Sequence, residues 1–214
     1  MFITFEGIEG CGKSTQARLL VHRLEREGIP CILTMEPGGT PVGQEIRRIL
    51  LDSRNQGLSP LCELLLYEAD RALHMETVIL PALAGGKWVV CDRFFDATTA
   101  YQGYARGQER PFIRSLNEKA SHGIRPDLTF LIDCPVEVGL RRALKRNSLM
   151  EQVGQDRFER EEMAFHTAVR KGYLSLAEEE QERFAVLDGT LGEDELAERI
   201  FSSVRPYLQT PLNS

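Results

Sequence analysis

Five short apolar runs alternate with amphipathic helical patterns, which predicts an α/β chain: a doubly wound, five-stranded parallel sheet sandwiched between helices. Two further observations support that class. The run KWVVCD (87–92) is apolar without alternation, as a strand buried on both faces requires. Polar motif residues also fall at successive strand ends, where such sheets hold ligands: Gly7 after the first, Glu36 after the second, Asp92 after the third. The 214 residues suit one core, so a single domain is expected over 1–208.

Taken in order, MFITFEG (1–7) predicts a strand that feeds a glycine loop. Residues 14–27 place Ala17, Leu20, Val21 and Leu24 on one helical stripe and stop at Gly28. PCILTME (30–36) predicts the second strand and PGGT (37–40) a loop. Helices follow over 41–52 and 60–84, the latter kinked or cut short by Pro81. Strand three is 87–92. Helical stretches near 95–105 and 110–121 lead to strand DLTFLID (127–133). Helices near 135–147 and 158–180 flank a polar lid segment, 146–157, and RFAVLD (183–188) is strand five. A last helix spans 193–208, and the tail QTPLNS (209–214) is expected to be disordered.

The bulk composition excludes several classes. A net charge of -6 argues against nucleic acid as partner. No apolar run reaches the ~18 residues of a membrane span, and no signal-peptide pattern is present. Cys11, Cys31, Cys62, Cys91 and Cys134 are odd in number, without a C-x-x-C pair, as expected of reduced thiols in a cytoplasmic protein.

Gly7, Ile8, Glu9, Gly10, Cys11, Gly12, Lys13 and Ser14 fit G-x-x-x-x-G-K-[ST] at every position, between a strand and a helix. The glycines let backbone N–H groups turn inward around a β-phosphate, and the helix aims its positive end there. Lys13 is expected on the β- and γ-phosphates and Ser14 on Mg²⁺, with Thr15 completing the nucleotide set. Glu9 is the anomaly. A carboxylate ~4 Å from a phosphate is repelled by roughly 4 kcal/mol at an effective dielectric of about 20. It should therefore turn away, towards an arginine or the sugar hydroxyl of a second substrate.

The string VVCDRF ends an apolar strand in Asp92, expected to hold the magnesium shell directly or through water, with Arg93 beside it to clamp phosphate. Asp133, closing LTFLID, is a rival for the metal and ranks below because no cation follows it. Cys11, beside a helix N-terminus, is read as an inert small residue in preference to a redox-sensitive thiolate.

The blocks FEGIEGCGKSTQ, EPGGTPVGQEIRRILLD, ELLLYEADRALH, DRFFDATTAYQGYARG and DRFE…GYLSLA closely resemble the bacterial thymidylate kinases, phosphate-loop nucleoside monophosphate kinases. The resemblance runs from residue 1 to about 190. It implies the phosphate-loop NTPase fold and transfer of the ATP γ-phosphoryl group to dTMP, with Mg²⁺, in a homodimer. It also implies roles. Glu9 lies near the acceptor's 3′-hydroxyl, and Arg47 and Arg93 grip its phosphate. Tyr67 stacks on thymine where phenylalanine is usual, Arg71, Gln102 and Thr98 meet the base, Tyr101 lies against the sugar, and Glu36 belongs to the same acceptor set. Arg146 is the expected transition-state arginine, ahead of Arg142 and Arg157, compensating for Gly10 in the phosphate loop. Met35, Gln44 and Ala97 depart from the family pattern. A related kinase acting on dUMP or UMP is the alternative.

Overall fold

The structure, a computed structural model, describes residues 1–149 and 157–208. All five predicted strands are present among them: β1 (Phe2–Glu6), β2 (Cys31–Met35), β3 (Trp88–Asp92), β4 (Leu128–Asp133) and β5 (Phe184–Asp188). They form one parallel sheet in the order β2-β3-β1-β4-β5. Every residue of β1 is buried, so the central strand is covered on both faces. The chain leaves β1 for β2 on one side and leaves β3 for β4 on the other. The crevice between the tips of β1 and β3 is therefore the topological switch point, and Phe5 is in register with Asp92 there.

The helices start where local chemistry allows. Helix α1 (Lys13–Arg26) follows the glycine loop and buries Ala17, Leu20 and Leu24 as the periodicity predicts. Thr40 caps α2 (Pro41–Leu51) by accepting from Gly43 N at 2.9 Å, and Ser59 caps α3 (Pro60–His74) by accepting from Cys62 N at 3.2 Å. Both have proline in the first turn, where the missing N–H costs nothing.

Two expectations need correction. Of the two alternatives at Pro81, an early end does not occur: α3 passes through a π-helical turn, Met75–Ile79, into α4 (Leu80–Ala84). Widening the turn ahead of Pro81 accommodates a ring that would otherwise strike the preceding carbonyls. Likewise 95–105 divides into α5 (Phe95–Thr98) and a π segment, Thr99–Ala105. The wider turn buries four consecutive residues, Ala100, Tyr101, Gln102 and Gly103, a result that 3.6 periodicity does not anticipate.

The remaining helices are α6 (Arg110–Ala120), α7 (Val136–Leu149), α8 (Met163–Glu179) and α9 (Glu193–Leu208). Helix α8 begins five residues later than predicted: Phe158 is committed to the core and Glu162 takes the N-cap position with extended backbone. Much of the predicted lid, 150–156, and the tail 209–214 lie outside the described residues. All five cysteines are free thiols. Among the described residues no helix is long and apolar enough to cross a membrane.

The phosphate loop rests directly on α7. Gly10 has φ 69°, and a Cβ there would sit 2.0 Å from the Gly139 carbonyl oxygen. A Cβ on Gly139 would come within 2.5 Å of the Glu9 carbonyl oxygen. Backbone meets backbone, and neither side has a flexible group that can yield. Gly139→Ala is therefore expected to destabilise the fold by about 1–3 kcal/mol and to weaken ATP binding by displacing the loop. Urea unfolding and calorimetric ATP titration measure the two effects.

Candidate active site

The tips of β1, β2 and β3, the start of α1, α3 and the π segment Thr99–Ala105 enclose a cleft of about 580 Å³. That is the volume of an ordinary small-molecule site. The predicted residues Glu9, Gly10, Gly12, Lys13, Ser14, Thr15, Glu36, Arg47, Tyr67, Arg71, Asp92, Arg93, Thr98, Tyr101, Gln102 and Arg146 all line it. Gly7, Ile8 and Cys11 do not. Ile8 and Cys11 are buried beneath the loop, and a Cβ on Gly7 would press on Ile132 O and Cys11 Sγ. These three shape the loop from below.

The donor half of the cleft follows from the loop. Gly12, at φ 107°, begins α1 without a side-chain cap, which leaves first-turn N–H groups directed at a ligand. Lys13 folds over the loop, donating to Gly7 O at 3.0 Å and Ile8 O at 2.8 Å. Ser14 donates its hydroxyl to Asp92 Oδ2, so the two groups expected at Mg²⁺ are in contact. One hydroxyl and one carboxylate form an all-oxygen set that suits Mg²⁺, a cation bound by few protein ligands and completed by phosphate oxygens and water. Among the described residues no cluster of three or more His, Cys, Asp or Glu side chains is placed to hold a metal. The rival carboxylate, Asp133, is taken by Arg170 in a bidentate pair at 2.6 and 2.8 Å.

Glu9 turns away from the phosphate side, and its partner is an arginine. Its Oε1 accepts from Arg93 Nη2 at 3.1 Å and from the Tyr101 hydroxyl. Burial alone would raise its pKa. His166, Arg93, Lys13 and Tyr101 outweigh that and hold the carboxyl below the usual carboxylate range. Arg93 adopts φ 75°, a left-handed backbone uncommon outside glycine, and its side chain is only 18% exposed. It donates to Tyr173 Oη at 2.9 Å and Tyr101 Oη at 3.1 Å as well as to Glu9. Of its five N–H groups, Nε–H and one on Nη1 remain for a ligand.

Beneath it lies Glu6, fully buried, which accepts from Phe94 N and Tyr173 Oη, both at 2.7 Å. Burial first, then the charge of Asp96, pushes its carboxyl up to about 8.

The opposite half of the cleft is built on α3. Arg71 is 1% exposed and donates to Glu36 Oε2, Glu68 Oε1, Asn117 Oδ1 and Thr98 Oγ1, at 2.8–2.9 Å. Four of its five N–H groups are spent in fixing it, and one is left at the cleft wall. Gln102 gives one amide N–H to Glu63 Oε1 at 2.9 Å. Arg47 is tied to Pro37 O at 2.9 Å, which holds it at the cleft margin. Burial pushes the Tyr67 hydroxyl pKa up, so the phenol stays neutral. Of the departures, Met35 and Ala97 line the cleft and Gln44 is exposed outside it.

The lid arginines separate clearly. Arg146 is exposed at the cleft and contacts Asn147 Oδ1 at 3.1 Å and Glu159 Oε1 at 3.5 Å. Arg142 also lines the cleft but donates to Gly189 O at 2.8 Å. Arg157 is not among the cleft-lining residues: it is 3% exposed and clamped by Leu50 O and Glu63. Sequence reasoning also missed Glu6, Glu63, Glu68, Asn117, His166 and Tyr173. For Glu63 a signal was present: Glu63, Tyr67, Asp70, Arg71 and His74 recur at helical spacing along α3; the other five carry no such local pattern.

A family model described as Thymidylate kinase matches residues 5–200. The thymidylate kinase of Trichlorobacter lovleyi is 51% identical over 212 residues, covering 99% of this chain and all of that one. That of Geotalea uraniireducens is 51% identical over 203 residues, 95% of each chain. The crystal structure of thymidylate kinase from Ehrlichia chaffeensis superposes with a TM-score of 0.77 at 34% identity, covering 96% of this chain and 98% of that one.

The raised pKa of Glu6 sets a pH dependence. Its folded value, about 8, exceeds the usual 4.5, so the native state holds the proton more tightly. This contribution is complete below pH 4.5 and is lost as pH rises through about 8. Glu6→Gln, which cannot ionise, is expected to flatten the fall in urea midpoint across that interval.

Proposed function

The chain belongs to the thymidylate kinase family, and we infer from that premise how its cleft carries the γ-phosphoryl group of ATP to dTMP, giving dTDP and ADP. One observation carries the reading: Lys13, Ser14 and Asp92 meet Arg47, Tyr67, Arg71 and Gln102 across a single cleft, with Glu9 and Arg93 between them. The donor triphosphate takes the first set and the pyrimidine deoxynucleotide the second.

The acceptor is a phosphate whose second pKa lies near ~6, so at neutral pH it is already largely a dianion. No strong general base is needed. The obstacle is bringing two anions together, and catalysis is positioning plus charge neutralisation. Lys13 leaves its loop carbonyls for the β- and γ-phosphates. Arg93 and Arg47 hold the acceptor phosphate in line, and Arg146 meets the charge that develops on the moving group. Ser14 and Asp92 would hold Mg²⁺, which would supply positive charge against the phosphates. On the nucleoside side, Tyr67 covers the thymine ring, while Arg71, Thr98 and Gln102 meet its polar edge. Glu36 keeps Arg71 aimed. Tyr101 closes against the sugar and Glu9 receives its 3′-hydroxyl.

The dUMP or UMP reading is not favoured, since the relatives named above are thymidylate kinases. A cytoplasmic enzyme suits the five free thiols. A homodimer suits α2 and α3, which pack together and expose Val42, Ile49, Leu61 and Leu65, each more than two-fifths accessible.

ADP release from Mg-ATP, assayed with dTMP, dUMP, UMP and AMP in turn, should show turnover with dTMP well above the rest. Equal or absent turnover with dTMP rejects the acceptor assignment. Arg146→Ala should lower kcat by less than the about 10³–10⁵ of an arginine supplied in trans, because Lys13 and Arg93 remain. The Kd for dTMP should stay unchanged in the same variant. Leu65→Lys should shift the sedimentation coefficient from dimer to monomer.

A further inference from the structure

His166 lies near the start of α8 and is fully buried, yet neither ring nitrogen has a hydrogen-bond partner among the described residues. Glu9 Oε2 is likewise buried and unpartnered. The two orphans face each other, with Nδ1 3.5 Å from Oε2. Buried polar atoms are almost always satisfied, and an unmet one carries a desolvation cost, so the pair calls for a common explanation.

Packing supplies none. The imidazole meets the Phe165 ring edge-on at 5.5 Å, and Phe165 in turn meets Tyr101 at 6.0 Å. An apolar ring of the same size would fill that slot without burying two nitrogens. The demand comes instead from Glu9. Arg93 and Tyr101 both act on Oε1, which leaves Oε2 as the oxygen free to take a further donor.

We propose that His166 is a positioning residue of the acceptor site. Its Nδ1–H closes onto the buried Glu9 Oε2 and fixes the carboxylate plane, so that the opposite oxygen, Oε1, stays presented to the deoxyribose 3′-hydroxyl. This rests on the reading that Glu9 faces the acceptor sugar. It adds that discrimination for the 3′-hydroxyl is set from behind by a residue some 150 positions away in sequence, which never touches the nucleotide.

The test compares dTMP with 3′-deoxythymidine monophosphate in the wild type, His166→Phe, His166→Asn and Glu9→Gln. His166→Phe should lower kcat/KM for dTMP about tenfold, the worth of one hydrogen bond to a charged group, mainly through KM. It should leave the 3′-deoxy analogue unchanged. His166→Asn, whose side-chain N–H takes the place of Nδ1–H, should restore most of the loss while unfolding at the wild-type temperature. In a Glu9→Gln background, His166→Phe should add nothing further. Equal losses with both nucleotides, no loss with either, or failure of asparagine to rescue a folded protein would overturn the proposal. A wild type that does not phosphorylate dTMP would instead reject the acceptor assignment itself.

Discussion

A buried arginine organises this molecule. Arg93 sits at the tip of β3 in a left-handed backbone conformation, with most of its guanidinium withdrawn from water. Withdrawing a cation costs several kcal/mol unless charge and hydrogen bonds replace its hydration. Glu9, Tyr101 and Tyr173 supply that replacement, and Glu6 anchors Tyr173 from below. The partners come from the phosphate loop, the π segment, α8 and β1. One charge therefore ties four separate parts of the chain to the switch point of the sheet.

The same constraint explains the carboxylate in the phosphate loop. Near phosphates alone Glu9 would be repelled, but beside Arg93 it neutralises a cation and is held ionised by it. On the proposed reading, this glutamate–arginine pair is a nearly neutral partition between donor and acceptor. The contact of the loop with α7 through Gly10 and Gly139 fixes that partition in height, since the backbone there has no room to move.

Arg71 and Arg157 show how far sequence reasoning reached. Both are arginines in polar contexts, where sequence alone predicts a surface position, yet both are buried. Arg71 was drawn into the site by its place in the block ELLLYEADRALH, and the structure brings it to the cleft wall, where four acceptors immobilise it. Arg157, at the end of the polar segment 146–157, is expected among the lid arginines, but Glu63 and Leu50 claim it. Glu63 itself receives Gln102, Arg106 and Arg157, three donors from distant segments. No local pattern announces such a convergence, because each donor is ordinary in its own neighbourhood.

Strand positions, the glycine loop and the order of motifs at the strand ends were legible in the sequence. They depend on local properties: apolar runs that only a doubly covered strand satisfies, glycines at positions of positive φ, and a helix start that must face a phosphate. The π turns, the displaced start of α8, the fate of each arginine and the meeting of His166 with Glu9 were decided only in three dimensions. A buried polar group takes its partner from whatever the packing brings near, and those neighbours lie tens to more than a hundred residues away along the chain. Periodicity describes which face of an element is hidden. Which charges will share that hidden space is settled by tertiary contact alone.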